Sequence, residues 1–273
     1  AASGWMLEMR RLLNSADDSG RFLPTPGPGR LPLYEAKYFH HFAHRWATHH
    51  RGQDRGLTGI EEADPTVAIS PQHWYPEGDV VARFGKTWKH SWALAWRDIA
   101  RSTDERTFIS AIVPSLAIPH TAKVLFPSES QLAALPGLIA NLAAFSFDFV
   151  SRQKVAGTHM SAFIVEQLPA FGPSAYEADA PWHRGTSTRR WLFPRILELT
   201  FTAWDLESFA RDFSYDGAPF HWNSERRFLL RCEIDAAFFH LYGLSRDDTD
   251  YVMDTFPVVR KNDEKGHGEY RTK

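Results

Sequence analysis

Between Trp92 and Phe149 the hydrophobic spacing changes period, and this change limits the possible folds more than any other feature of the chain. Trp92, Leu94 and Trp96 alternate with Ala93, Ala95 and Arg97, the period of two that predicts a strand. Thr107 to Val113 is a second run rich in β-branched residues, and Thr103-Asp104-Glu105-Arg106 supplies the turn between the two. Leu132, Leu135, Ile139, Leu142, Phe145 and Phe149 then follow helical spacing, with Pro136-Gly137 predicting a break between a short first helix and a longer second one. A hairpin followed by an apolar helix predicts an α+β fold, with a mixed sheet in the first part and a smaller helical region after it.

The flanks are divided by turn chemistry. Trp5 to Phe22 reads as a short element, and Pro24-Thr25-Pro26-Gly27-Pro28-Gly29 excludes regular structure, so residues 1–30 form an N-terminal element and linker. Leu33 to Phe39 is aromatic-rich and bounded by turn residues, which suggests a strand, with a helix to Trp46 as the alternative. Arg51 to Asp64 is polar and contains glycine, the pattern of a mobile loop. Pro169 ends a short apolar element, and Gly172 to Gly185 forms a seam between a region at 31–175 and a mainly helical region at 176–273. In the latter, Phe228, Cys232, Asp235, Phe239 and Tyr242 share one helical face that ends at Gly243, and Ser245 is placed to cap the next helix.

With 43% hydrophobic residues among 273, the chain can bury a large core. No stretch approaches the roughly 20 apolar residues of a membrane helix, and no signal pattern opens the chain, so a cytoplasmic protein with no membrane partner is expected. Cys232 is the only cysteine; it excludes an intramolecular disulfide and is expected in the core. The net charge of −2 conceals an asymmetry, since Arg83 to Lys154 holds nine Lys/Arg against five Asp/Glu, whereas residues 161–273 hold fourteen against eighteen. A polyanion would meet the first of these regions. Glycine-rich nucleotide-binding motifs and a Gly-x-Ser-x-Gly elbow are missing. His40, His41, His44, His49 and His50 raise a metal-dependent hydrolase, but their spacing lacks His-Glu-x-x-His and no acidic or cysteine cluster adjoins them. Asp263-Glu264-Lys265 lacks a Pro-Asp partner upstream and reads as a solvated turn.

Several phrases follow one another along the chain: Leu31-Pro32-Leu33-Tyr34-Glu35-Ala36-Lys37 and His41-Phe42-Ala43-His44-Arg45-Trp46, then Trp96-Arg97-Asp98-Ile99-Ala100-Arg101, Asp104-Glu105-Arg106-Thr107, Phe147-Asp148-Phe149-Val150-Ser151-Arg152-Gln153-Lys154, Gly157-Thr158-His159 and Glu166-Gln167-Leu168-Pro169. Tyr242-Gly243-Leu244 and Gly268-Glu269-Tyr270-Arg271 close the series. It resembles, over nearly the whole chain, the carboxy-terminal target-recognition region of adenine-specific DNA methyltransferases of type IIG restriction-modification and phage-defence systems. Two positions depart from the family's habit: Ala36 stands where glycine commonly follows Tyr-Glu, and Ala43 where an acidic residue is common.

The resemblance implies a non-catalytic, DNA-reading part. The full protein would be a DNA adenine methyltransferase, with or without endonuclease activity, whose catalytic domain in the same polypeptide carries an Asn-Pro-Pro-Tyr-type motif and S-adenosylmethionine. Neither catalytic motif nor cofactor pocket is read in this chain, so no cofactor is expected in it. Its partner would be double-stranded DNA, held in register while the catalytic domain extrudes the target base. Guanidinium and amide groups read base edges, and lysines, hydroxyls and backbone amides hold phosphates. The candidates are Lys37 and Arg45; Arg97, Arg101, Arg106 and Thr107 around the predicted hairpin; and Arg152, Gln153, Lys154, Gly157, Thr158 and His159 in a polar loop after the apolar helix. A protein-interaction module of a defence complex is the alternative from another class.

Overall fold

The computed structural model describes residues 4–85 and 88–273. Its ten strands are β1 (Leu7–Arg10), β2 (Arg30–Pro32), β3 (Ala47–His50), β4 (Gln53–Gly56), β5 (Trp74–Pro76), β6 (Trp92–Arg97), β7 (Ser110–Pro114), β8 (Ala122–Pro127), β9 (Asp179–Ala180) and β10 (His183–Ser187). The helices in the first half are α1 (Ser15–Asp18), α2 (Gly59–Ala63), α3 (Glu77–Phe84), α4 (Leu135–Ala143), α5 (Phe145–Lys154) and α6 (Ala162–Val165). Those in the second half are α7 (Thr188–Thr200), α8 (Glu207–Asp212), α9 (Ser224–Leu241), α10 (Arg246–Asp254) and α11 (Pro257–His267). The fold is α+β.

Four strands form the central sheet in the order β1-β8-β6-β7, and all its ladders are antiparallel. The expected hairpin is present, with Trp92 opposite Pro114 and Trp96 opposite Ser110. Its alternation does not separate a wet face from a dry one. Trp92 through Trp96 are all at 0% exposure, because helices and loops cover both faces. Around the sheet a single apolar cluster runs from Trp5 to Phe238 and takes in Leu192, Leu199 and Phe209 from the second half; a smaller one joins Phe145 to Val252, Met253, Phe256 and Val259. Among the described residues no single helix is long and apolar enough to cross a membrane.

Several local expectations are corrected. Leu33 to Phe39 is neither strand nor helix: Ala36–Tyr38 is a single 3-10 turn after β2, and Tyr34, Tyr38 and Phe39 are all buried, so the run is enclosed and not half-wet. Arg51 to Asp64 contains β4 and α2, the latter with a full capping box between Thr58 and Glu61. Asp263-Glu264-Lys265 lies in α11. Cys232 is half-buried. Pro136-Gly137 does mark a junction, between a 3-10 segment ending at Ala134 and α4, but the larger break falls at Ala144, where ψ is 146° and the axes of the two helical segments bend by 63°. Asp235 Oδ1 accepts from Phe145 N at 2.9 Å and caps α5 from a helix remote in sequence.

Gly137 is inside α4 because Tyr176 lies against it: a Cβ there would meet the buried Tyr176 ring at 2.6 Å. Alanine improves intrinsic helix propensity by about 1 kcal/mol, but overpacking costs about 1–3 kcal/mol. Gly137→Ala is therefore expected to lower the unfolding free energy in urea titrations; a variant as stable as the parent would show that the α4–Tyr176 contact is loose.

Candidate nucleic-acid interface

Two loops meet at the end of the central sheet where β6 finishes and β8 begins. Residues 98–109 connect β6 to β7, and residues 155–161 connect α5 to α6. They pair as a short antiparallel bridge at Ile99 and His159: Ala100 N donates to Thr158 O at 3.1 Å, and Met160 N donates to Asp98 O at 2.6 Å. Met160 is buried and its carbonyl accepts from Trp96 Nε1 at 2.9 Å, tying the second loop to the sheet interior. The junction presents Arg101, Gln153, Lys154, Gly157, Thr158 and His159, all exposed.

The loops are held from beneath by α5. Asp148 is fully buried and accepts from Arg106 Nε at 2.9 Å, Thr107 N at 2.9 Å and Phe108 N at 2.7 Å. One turn later Arg152 donates to the carbonyls of Ser102 (3.2 Å), Asp104 (2.6 Å), Glu105 (2.7 Å) and Thr255 (3.4 Å), with its guanidinium over the Phe256 ring. Arg106 also donates to Ala143 O and covers the Phe145 ring. The phrase from Phe147 to Arg152 thus sets the shape of the loop that carries Arg101.

The candidate residues consequently divide by role. Arg106, Thr107 and Arg152 are internal supports. Arg45 is buried and donates to the carbonyls of Glu61, Glu62, Asp64, Val67 and Thr202, so it pins the segment after β4. Arg97 donates to Phe39 O and covers the Phe39 ring; burial brings its pKa down to about 10, which leaves it charged at neutral pH. Lys37 is partly exposed between Glu35 (2.7 Å) and Asp54 (2.8 Å); burial would lower its pKa, but these two carboxylates override that and hold it above the ordinary lysine value. Arg101 and Lys154 make no side-chain hydrogen bond or ion pair among the described residues. Gly157 has no positive φ, and a Cβ added to it would meet no atom within 4 Å, so close packing inside the protein does not require glycine there.

Sequence reading missed two contributors. Asp98 is nearly buried and pairs with both Lys123 and His159, the latter at 2.8 Å, so it orients the otherwise exposed His159. The strands β3 and β4 form a ribbon closed by Arg51 and Gly52 at φ 50° and 81°, with His50, Arg51, Gly52 and Gln53 exposed at its tip. Two residues with positive φ close hairpins well, and the Arg-Gly pair between short polar runs was the available signal. Among the described residues no group of His, Cys, Asp and Glu could hold a metal ion; His44 instead pairs with Asp205 at 2.7 Å.

Comparison with protein-family models and with curated proteins finds no match.

Replacing Asp148 by asparagine puts an amide N–H₂ among the donors it now accepts, and breaking one side of a buried ion pair costs about 3–5 kcal/mol. Asp148→Asn should destabilise the chain on that scale and remove the hydrogen-exchange protection of the Thr107 and Phe108 amides. Unchanged protection of those amides would mean that the loop keeps its shape without the carboxylate.

Proposed function

We propose that this chain reads sequence on double-stranded DNA for an adenine-specific methyltransferase whose catalytic domain, in the same polypeptide, binds S-adenosylmethionine. In this reading the protein works in the cytoplasm, and the chain itself carries no catalytic group. The observation that supports the reading best is the convergence of Arg101 with Gln153, Lys154, Thr158 and His159 on one exposed edge supported by α5. A free guanidinium and an amide are the side chains that address guanine and adenine edges, and a lysine with exposed hydroxyl and backbone groups suits phosphates. Support from within means that little loop ordering has to accompany binding, which favours affinity.

A second reading has its own observation. A groove of about 320 Å³ is bounded by the buried Trp5, Leu125, Leu138 and Val165 with half-buried Leu7 and exposed Glu166, and beside it on α6 Phe163 is 74% exposed. An exposed aromatic ring beside a groove favours a protein contact, and this reading gives the chain a protein partner.

Selection from a randomised duplex library across a salt series tests the proposal. One short motif should be enriched, with affinity falling as salt rises. On that motif Arg101→Ala should lose about 1–3 kcal/mol and relax one base position, while Lys154→Ala should weaken all duplexes alike and reduce the salt slope by about 1. Arg211→Ala serves as the control, since Arg211 is exposed on α8, whose Asp212 bonds Trp92 at the opposite end of β6. No binding at low salt, or equal losses in the control, would overturn the reading and shift weight to the groove beside Phe163.

A further inference from the structure

A cavity of about 120 Å³ lies between the His40–Phe42 turn, the start of α5 and the helices α9 and α11. Its walls combine features that packing alone does not account for. Phe42 holds φ 58°, a left-handed conformation unfavourable for a bulky residue, and Arg227 Nη2 fixes it by donating to its carbonyl at 3.0 Å. The turn places His41 in the wall at 5% exposure, with the Phe108 backbone as a polar neighbour of its ring. Burial, reinforced by nearby arginines, pushes His40 and His41 well below the ordinary histidine range, so each is a neutral ring with one donor and one acceptor.

Arg231, an exposed side chain, also lines the cavity and forms no hydrogen bond or ion pair among the described residues. Asp235, one turn along α9, uses Oδ1 for Phe145 N, leaving Oδ2 without a partner among the described residues. The two are not ion-paired to each other. Phe145 and Phe228 also line the cavity, with the Arg106 and Arg271 guanidiniums over one face of each ring. A cavity of about 150 Å³ accommodates benzene, so this one suits a single six-membered ring and not a fused pair.

We infer that this cavity is a binding site for a planar six-membered heterocycle of the pyrimidine class, with Asp235 accepting from an exocyclic amino group, Arg231 donating to a ring carbonyl, and His41 pairing with a further ring edge. Glu105, from the loop that carries Arg101, borders the cavity and accepts from Asn262 Nδ2 at 3.2 Å. The ring could therefore come from solution or from an unpaired base in a nucleic-acid strand. Such a site stands independently of the proposed DNA-reading function.

Calorimetric titration of the intact chain with cytosine, with adenine, with a duplex carrying one unpaired cytosine and with its fully paired counterpart tests it. Cytosine should bind at one site with a Kd below about 1 mM, as an order of magnitude for so small a ligand, and Arg231→Ala and Asp235→Asn should each weaken it at least tenfold. A bulged duplex that outcompetes the paired one, with that excess lost in the same variants, would identify a strand base as the ligand; binding of free cytosine without any such excess would identify a soluble one. Arg231→Ala removes no internal bond and keeps the test decisive should Asp235→Asn unfold. Absence of heat with both cytosine and the bulged duplex, adenine binding as tightly as cytosine, or cytosine binding unchanged in Arg231→Ala would overturn the inference.

Discussion

Asp148 is the interaction on which the exposed edge depends. A carboxylate at 0% exposure needs donors on every side, and here they come from Arg106 and from two consecutive backbone amides of the strand connection. Because α5 also carries Arg152 one turn on, the same short helix grips the loop at both of its ends. A loop gripped at Ser102, Asp104, Glu105, Thr107 and Phe108 has little freedom left, and within it Arg101 is held by local turn bonds, its N–H donating to Asp104 Oδ2 and its carbonyl accepting from Asp104 N and Thr107 Oγ1.

The same logic extends into the second half of the chain. Arg45 reaches Thr202 O, Arg227 reaches both Leu199 O and Phe42 O, and Asp235 caps α5 at Phe145. Buried guanidiniums bonded to several carbonyls are directional and satisfy acceptors that would otherwise be stranded. Through them the helices after the 172–185 seam fix backbone positions in the first half. The acidic, helical character of residues 176–273 therefore describes their outer surface; their inner side belongs to the apolar cluster that surrounds the sheet.

This explains which parts were legible in the sequence. The β6–β7 hairpin and the cap at Ser245 were readable because they rest on local alternation and local hydrogen bonding, and the structure has Ser245 and Asp248 bonding reciprocally. The break at Ala144 was not readable, since alanine favours helix and the group that stops it, Asp235, is distant in sequence. The 3-10 turn at Ala36–Tyr38 escaped for a related reason: aromatic residues there are enclosed on all sides, and full burial erases the periodicity that would distinguish strand from turn.

Charge was the least legible property. The basic excess between Arg83 and Lys154 suggests a continuous cationic face, yet most of it is committed internally: Arg83 to Asp18 and Leu12 O, Arg97 to Phe39 O, Arg106 and Arg152 to the α5 supports, and Lys123 to Asp98. Lys86 lies outside the described residues. What remains with exposed, unpaired side chains is Lys89, Arg101 and Lys154, and Lys89 sits near the start of β6, away from the other two. A surface with so few free cations would bind a polyanion through placement and not through bulk field, because each phosphate contact adds its own increment to affinity and few are available. The internal arginines then contribute by keeping Arg101 and Lys154 where they are, which makes rigidity, and not charge density, the property that a recognition role would exploit.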